Sequence, residues 1–446
     1  MNTFELLTEL LHNKKWQELK GILNEMNEQD IAELFMELDE RDLTLVYRLL
    51  PKELAAEVFV NMEPEYQELL IVAFSDSELR EVLDELYVDD AVDIIEEMPA
   101  TLVKRILKHT DPDTRKKINE ILKYPEDSAG SIMTIEYVDL KRSMTVADAF
   151  TRIRRTGVDK ETIYTCYVTD SKRKLKGYVT VKDLLLADET ATIREIMETN
   201  VISVSTLEDK EVVTDVFQKY DLVVLPVVDK EDRLVGIITV DDAIDVLQEE
   251  ITEDMELMAG ITPTDKPYLK MGVFENFKKR IPWLMLLMVS ATFTEKIITH
   301  FEGALTACVA LTAFIPMLTG TCGNCGNQSS STIIRGISLG EIEFRDTFKV
   351  VIKEFLIALV CGIVLACVNF AKLMIFDDVG MYVALVVSVT MIAAVVFAKV
   401  VGSVLPVIAK KLGFDPAVMS SPFISTIVDA VTLLIYFTIA ASVLNL

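Results

Sequence analysis

The stretch PFISTIVDAVTLLIYFTIAASVL, residues 422–444, decides what kind of protein this chain is. As a helix rising about 1.5 Å per residue, it is long enough to cross the apolar core of a bilayer, which is about 30 Å thick. Its only charged residue is Asp429, and a carboxylate that faces lipid at this depth costs several kcal/mol. Asp429 therefore either faces a wet path, where it attracts a cation, or hydrogen-bonds to a neighbouring helix as a packing contact.

Charge is distributed very unevenly along the 446 residues. The first 280 residues contain 60 acidic and 35 basic side chains, so they carry −25 of the net charge of −26. We therefore predict an acidic soluble part followed by a nearly neutral membrane part. Such an acidic surface argues against nucleic acid as a partner and favours cations. No signal-peptide pattern precedes the helix-like start MNTFELLTELL, so we expect the soluble part to be cytosolic.

Residues 1–130 are predicted to form an acidic all-α domain, because apolar residues recur there at three- and four-residue spacing. The segment YVDDAVDIIEEMP at 87–99 places Asp90, Asp93 and Glu97 on one helical face. These carboxylates repel one another unless a counterion joins them, which makes Asp90 and Asp93 candidate ligands of a divalent ion. A solvated acidic face without an ion fits this pattern equally well.

Residues 131–258 contain two copies of one pattern. GYVTVKD at 177–183 returns as GIITVDD at 236–242. Each copy has the pattern of a helix, a pair of short apolar strands and a second helix. The sequence therefore predicts a tandem α+β module.

This tandem arrangement resembles a pair of cystathionine-β-synthase-type (CBS) domains, here 131–195 and 196–258. The resemblance implies a regulatory module that often dimerises and sometimes binds adenine nucleotides such as ATP. It also places Thr180, Asp183 and Thr239 next to the ribose in members that bind nucleotide. The same residues fit a second role, capping the helix that follows, and both roles are open at this point.

The second copy continues as the acidic helix TVDDAIDVLQEEITEDMELMAG, residues 239–260, which contains no Lys or Arg. No i,i+4 partner of opposite sign within the helix relieves its repulsion, whereas a hard cation with oxygen ligands would. The candidate regulatory metal ligands in the second CBS domain and its helix are Asp209, Glu211, Asp221, Asp242, Asp245, Glu250, Glu253 and Asp254.

Residues 259–280 are predicted to form a connecting helix at the membrane surface, with Lys278, Lys279 and Arg280 among the lipid headgroups. A simple membrane-anchoring linker is the alternative. Five apolar segments follow, each long enough to span a bilayer, at about 281–301, 304–333, 348–376, 382–410 and 418–443.

The membrane domain, 281–446, is therefore expected to cross the plasma membrane five times. Basic residues gather in the loops on the same side as Arg280, which predicts a cytosolic N-terminus and an extracytoplasmic C-terminus. These basic residues are Arg335, Arg345, Lys349, Lys353, Lys410 and Lys411. Five helices leave little room for a pore, whereas a dimer supplies ten.

The second apolar segment ends in PMLTGTCGNCGNQSSSTIIR, residues 316–335. Its three glycines at three-residue spacing let a helix or an ion approach the backbone. Asn324 and Asn327 add neutral oxygen donors that suit a partly hydrated ion. Cys322 and Cys325 form a single C-x-x-C pair, but a structural zinc normally has four ligands, so we do not predict a metal site there.

The whole chain resembles the MgtE family of magnesium channels and transporters. The most specific motifs are GTCGNCGNQSSSTIIR at 320–335 and DPAVMSSPFISTIVDAVTLLIY at 415–436. The resemblance implies a homodimer whose second and fifth membrane helices line a pore, with Asp429 binding hydrated Mg²⁺ and Asp415 at the cytosolic mouth. Mg²⁺ sheds water reluctantly and prefers six oxygen ligands, which suits a carboxylate acting through water.

We therefore predict a Mg²⁺-gated, magnesium-selective channel or transporter that imports Mg²⁺ and closes when Mg²⁺ bridges its acidic cytosolic residues. A transporter of Mn²⁺, Co²⁺ or Ni²⁺ is the nearest alternative. Softer ions favour His and Cys ligands, and His300 at an outer edge is the only histidine in the membrane segments. A membrane-anchored signalling protein that senses nucleotide is a second alternative. An enzyme is not expected, because no Ser/His/Asp, P-loop or zinc-hydrolase pattern occurs.

Overall fold

The computed structural model describes residues 3–264, 268–269, 271–377, 379–419 and 421–444. The chain divides into two compact units, Met1–Leu247 and Gln248–Leu446. Residues 265–267 and 270 of the predicted connecting helix lie outside the described residues.

Ten short helices form the N-terminal part of the first unit. They are α1 (Thr3–His12), α2 (Trp16–Leu23), α3 (Glu28–Met36), α4 (Glu40–Tyr47), α5 (Lys52–Val60), α6 (Pro64–Ala73), α7 (Asp76–Leu83), α8 (Val88–Glu97), α9 (Ala100–His109) and α10 (Pro112–Ile121). Their apolar residues share one core, in which Phe35 and Phe59 are almost completely buried. Local signals set the helix starts, as where Ser75 and Glu78 form a capping box at α7. The prediction of an all-α domain is confirmed.

Two three-stranded sheets follow, one in each copy of the repeat. The strands are β1 (Asp139–Lys141), β2 (Thr165–Thr169) and β3 (Leu175–Thr180), then β4 (Val204–Ser205), β5 (Val224–Val228) and β6 (Leu234–Thr239). In each sheet the first pair is parallel and the second antiparallel. The predicted strand pairs β2–β3 and β5–β6 are confirmed. Strands β1 and β4 were not predicted, because two or three residues are too few to show alternation.

The helices of this part pack around the two sheets. They are α11 (Val146–Thr156), α12 (Val181–Leu186), α13 (Ile193–Ile196), α14 (Lys210–Tyr220) and α15 (Val240–Met258). Each sheet has its own apolar core, which includes Val168 in the first copy and Val227 in the second. Helix α15 is the predicted acidic helix, and it crosses the boundary between the two units.

The second unit is helical. Its helices are α16 (Val273–His300), α17 (Glu302–Ala307), α18 (Ile315–Ser338), α19 (Thr347–Ile375), α20 (Met381–Lys411) and α21 (Ser421–Leu444). The described part of the chain has four helical stretches that are long and apolar enough to cross a membrane, at 273–300, 344–375, 381–411 and 416–444.

Helix α18 differs from the second span expected at 304–333. The long helix begins only at Ile315, after α17 and a 3-10 turn over Val309–Phe314, because Pro316 favours the first helical turn. Its glycines, asparagines and serines make it less apolar than the other four stretches. Residues 273–280 of the predicted connecting helix are the first two turns of α16. Five crossings therefore stay a prediction.

Candidate functional site

Asp429 lies in the third turn of α21, beside the glycine-rich segment of α18. A Cβ at Gly323 would lie 4.0 Å from Asp429 Oδ1 and 3.8 Å from Ser425 Oγ. The backbone of α18 therefore approaches the carboxylate closely because position 323 has no side chain. The structure thus brings together the two motifs that the sequence singled out.

Asn327 places a second side-chain oxygen near this point. Its Nδ2 donates a hydrogen bond to Ser425 Oγ at 3.4 Å. Its Oδ1 is buried and has no hydrogen-bond partner among the described residues. Leaving a buried acceptor unsatisfied costs about 1–3 kcal/mol, and a carbonyl oxygen is a ligand that Mg²⁺ accepts. Ser425, the partner of Asn327, lies one helical turn before Asp429 in α21, and an unsatisfied acceptor oxygen at this level suits a cation.

A cavity of about 370 Å³ between α16 and α21 opens onto Asp429. Its polar lining also includes Glu295, Thr294 and Thr426. Aromatic contacts flank the cavity along the chain: Trp283 of α16 packs on Phe423 of α21, and Phe301, directly after α16, stacks on Phe437. Sequence reasoning missed Glu295, although an acidic residue inside an apolar span was a readable signal.

The other two predicted pore residues do not join this group. Asn324 is exposed on the surface of α18. Asp415 Oδ1 accepts a hydrogen bond from Ala417 N at 2.7 Å and so caps the 3-10 turn Pro416–Met419 that precedes α21. Cys322 and Cys325 lie in the apolar core of the second unit.

Asp415 instead acts on Asp254, near the end of α15. Burial, followed by repulsion from Asp415, raises the pKa of Asp254 to about 6. A hydrogen bond with Ser338 and the charge of Arg335 oppose this rise in pKa. Two of the predicted metal-binding carboxylates are therefore close enough in the second unit to repel each other.

A second concentration of carboxylates lies inside the first unit, and we call it the acidic cluster. Helix α8, helix α15 and two segments of the first CBS domain contribute to it. Its members are Asp89, Asp90, Asp93, Glu136, Glu161, Asp241 and Asp242. The structure thus brings the predicted residues Asp90, Asp93 and Asp242 together.

Burial and mutual repulsion disfavour the ionised forms of this cluster. Burial is the largest cause, and repulsion from Asp242 is the next largest for Asp90 and Glu161. The pKa of Asp90 rises to about 6, and the pKa values of Asp93 and Glu161 rise to about 7. The pKa values of Asp89 and Asp242 are raised as well. Asp93 is exposed, so water screens its charge and weakens its repulsion of the other carboxylates.

Sequence reasoning did not find Glu136 and Glu161. Glu136 is buried and its Oε2 accepts hydrogen bonds from Val88 N at 3.3 Å and Thr134 Oγ1 at 3.1 Å. Lys117 Nζ lies 3.6 Å from Glu136 Oε1, so this carboxylate has a partial counter-charge. Both residues lie outside the acidic runs of the sequence, and only the packing of α8 on the CBS domain shows them.

Several other predicted ligands lie elsewhere. Asp209 accepts a hydrogen bond from Glu211 N and caps the start of α14, while Asp221 is at its other end. These ends are about 18 Å apart along the helix, too far for one ion to bridge. Asp245 is exposed further along α15, and Glu250 and Glu253 belong to the second unit. Among the described residues no three His, Cys, Asp or Glu side chains are arranged to hold a metal ion.

The predicted nucleotide residues are engaged in helix caps. Thr180 N donates to Asp183 Oδ2 at 3.1 Å, and Asp183 N donates to Thr180 Oγ1 at 3.2 Å, which forms a capping box at α12. Thr239 Oγ1 donates to Asp242 Oδ2 at 2.5 Å at the start of α15. The capping role is therefore present, and contact with a ribose stays a prediction.

Three family models match most of the chain, apart from residues 250–314 and the two ends. The model described as "MgtE intracellular N domain" matches residues 5–127, the CBS domain model matches 129–189 and 193–249, and the model described as "Divalent cation transporter" matches 315–439.

Full-length relatives show the same similarity. The magnesium transporter MgtE of Thermus thermophilus is 38% identical over 443 residues, 98% of each chain. That of Bacillus subtilis is 31% identical over 444 residues, 98% of this chain and 96% of the relative. Their named activity is transport, and this classes the chain with transporters rather than with enzymes.

A solved structure of the cytosolic domain of the Mg²⁺ channel MgtE in complex with ATP is also similar. It is 40% identical, with a TM-score of 0.52, and the match covers 54% of this chain and 98% of that one. The soluble part of a magnesium transporter has the same TM-score at 31% identity. From these matches over its full length, the chain belongs to the MgtE family.

Proposed function

We propose that this chain is a magnesium-selective channel or transporter that imports Mg²⁺ into the cytosol. One observation carries the proposal: Asp429, inside an apolar helix, lies beside the side-chain-free backbone at Gly323 and near the unsatisfied Oδ1 of Asn327. A carboxylate and a neutral oxygen in a roomy site suit an ion that keeps part of its water shell. The magnesium transport named for full-length relatives supports the same ion.

We infer a homodimer in the plasma membrane with five crossings per chain, a cytosolic N-terminus and an extracytoplasmic C-terminus. Helix α18 supplies the span that is missing from the four apolar stretches, the second in chain order, and α18 and α21 line the pore. The excess of Lys and Arg in alternate loops supports this orientation. Helix α18 is the least apolar of the five, as expected for a helix that faces water and protein more than lipid.

Regulation by Mg²⁺ follows from the acidic cluster and from the pair Asp254 and Asp415. Partly buried carboxylates that repel one another destabilise the arrangement that holds them together. Mg²⁺ relieves this repulsion, directly or through its water shell, and so favours the closed arrangement when cytosolic Mg²⁺ is high. When Mg²⁺ falls, repulsion favours the open arrangement. ATP binding to the CBS pair is proposed from the relative whose cytosolic domain was solved with ATP.

Growth of a magnesium-uptake-deficient cell tests this function. The native chain should restore growth in low Mg²⁺, Asp429→Ala should not, and the exposed control Glu341→Ala should behave as the native chain. A variant lacking residues 1–260 should restore growth but no longer reduce uptake when Mg²⁺ is abundant. Rescue by Asp429→Ala would favour a signalling protein with a membrane anchor, and rescue of Co²⁺ or Ni²⁺ uptake alone would favour a different cation.

A further inference from the structure

Three polar side chains meet in the interior of the second unit, where α18, α19 and α20 pack together. Ser329, Glu354 and Lys399 are only 2%, 7% and 5% exposed. Lys399 Nζ donates to Ser329 Oγ at 3.2 Å, and Ser329 Oγ donates to Glu354 Oε2 at 2.6 Å. The ammonium and carboxylate are themselves 4.0 Å apart. The serine hydroxyl therefore bridges a buried ion pair, and we call these residues the buried triad.

Stability alone does not explain the buried triad. Apolar side chains of similar volume hold packed helices together without the cost of desolvating two charges. A hydrogen-bonded ion pair has one property that apolar contacts lack: it is satisfied in only one relative position of the helices. The buried triad therefore serves to fix the relative position of the helices.

That position is the height and rotation of α18 against α20. Gly326 lies about one turn before Ser329 in α18, and Gly402 lies about one turn after Lys399 in α20. The two helices touch at these glycines, where a Cβ at Gly402 would overlap the carbonyl oxygen of Gly326. Small residues permit close approach but do not by themselves resist sliding. The hydrogen bonds of the buried triad therefore hold α18 and α20 in one register.

The same turn of α18 carries the ion ligand. Asn327 lies between Gly326 and Ser329 in the chain and reaches the opposite neighbour, α21, through Ser425. A shift of α18 against α20 therefore moves the unsatisfied Asn327 Oδ1 relative to Asp429.

We propose that Lys399, Ser329 and Glu354 are positioning residues, which hold the ion-lining face of α18 in register with Asp429. This inference rests on the proposed function, because it assumes that Asn327 and Asp429 contact the ion. It assigns a role in transport to side chains that do not touch the ion.

The first test compares two serines of α18 in full-length protein reconstituted in liposomes. Ser329→Ala removes the bridge but keeps both charges. Ser330→Ala is the matched control, since Ser330 is 1% exposed and its hydroxyl has no hydrogen-bond partner among the described residues. We expect Ser329→Ala to raise the Mg²⁺ concentration for half-maximal flux about tenfold, the order for one hydrogen bond to a charged group. It should also weaken discrimination against Ca²⁺, and Ser330→Ala should change neither.

The second test separates position from stability. Lys399→Met alone leaves a buried carboxylate unpaired and should fold poorly, whereas Lys399→Met with Glu354→Gln should recover the native melting temperature in detergent. The double variant should still need about tenfold more Mg²⁺, because the register is lost. Native half-maximal Mg²⁺ in the folded double variant or in Ser329→Ala would overturn the proposal, as would an equal change in Ser330→Ala. The Asp429→Ala protein in the same assay reports separately on the proposed function.

Discussion

Replacing Glu161 with Gln should stabilise the acidic cluster when Mg²⁺ is absent. Burial and the charges of Asp242 and Asp90 raise the pKa of Glu161 from 4.5 to about 7 in the folded protein. At about 1.4 kcal/mol per pKa unit, the ionised side chain opposes folding of this region by about 3 kcal/mol. Glu161 is partly exposed, and solvent screening lowers this to about 1–2 kcal/mol.

The pH dependence of this effect has a definite sign. The folded-state pKa is raised, so the folded protein binds the proton more tightly than the unfolded chain does. The penalty is therefore absent below a pH of about 4.5, grows as the pH rises to about 7, and is complete above that. Glu161→Gln removes it, and the variant gains stability only in the neutral and alkaline range.

Hydrogen–deuterium exchange of α8 peptides in the full-length protein measures this gain. With a chelator at a pH of about 8, exchange through local opening should be about tenfold slower in Glu161→Gln than in the native chain. The difference should shrink in millimolar Mg²⁺ and at a pH of about 5. The exposed control Glu189→Gln should exchange like the native chain. Equal exchange in both proteins at a pH of about 8, or an undiminished difference at a pH of about 5, would refute the reasoning.

Three further predictions concern the gate, the helix packing and the nucleotide. Lowering the cytosolic pH from about 8 to about 6 protonates the acidic cluster, which relieves its repulsion and favours the closed arrangement. Mg²⁺ flux at low cytosolic Mg²⁺ should therefore fall severalfold. Unchanged flux into liposomes would contradict this. Gly402→Ala should cost about 1–3 kcal/mol in detergent unfolding, whereas Gly320→Ala, with nothing within 4 Å of its Cβ, should not destabilise. Thr180→Val and the control Thr145→Val each remove a helix cap and should each lower the free energy of unfolding by about 1 kcal/mol. Only Thr180→Val should weaken ATP binding by calorimetry, and equal ATP affinities would leave Thr180 as a cap alone.

The parts of the fold that were predictable from sequence have local causes. The repeated Gly-x-x-Thr pattern predicts β3, β6 and the helices after them, since each signal lies within a few residues. The long apolar run predicts α21. The late start of α18 also had a local signal in Pro316, but the continuous apolar character from 304 onward outweighed it.

The site was predictable only in part, because its members are distant in the chain. Asp90 and Asp242 stand in acidic runs and were found, whereas Glu161 stands outside such runs and only tertiary packing adds it to the acidic cluster. Lys399 lies well inside the apolar segment 382–410 and was a readable signal, but only the packing of the helices shows that it meets Ser329 and Glu354. Periodicity shows which face of an element is apolar, and it does not show which distant residue meets a polar one.

Mg²⁺ flux into liposomes containing the purified Asp429→Asn protein shows whether this carboxylate selects the ion. Asparagine keeps the shape of the side chain and removes the charge, so folding and dimerisation should be preserved. We predict that flux falls at least about tenfold, since a hydrated divalent ion is held mainly by the carboxylate charge. Glu341→Gln in parallel should transport as the native chain does. Native flux through a folded Asp429→Asn protein would contradict the claim that this carboxylate selects the ion.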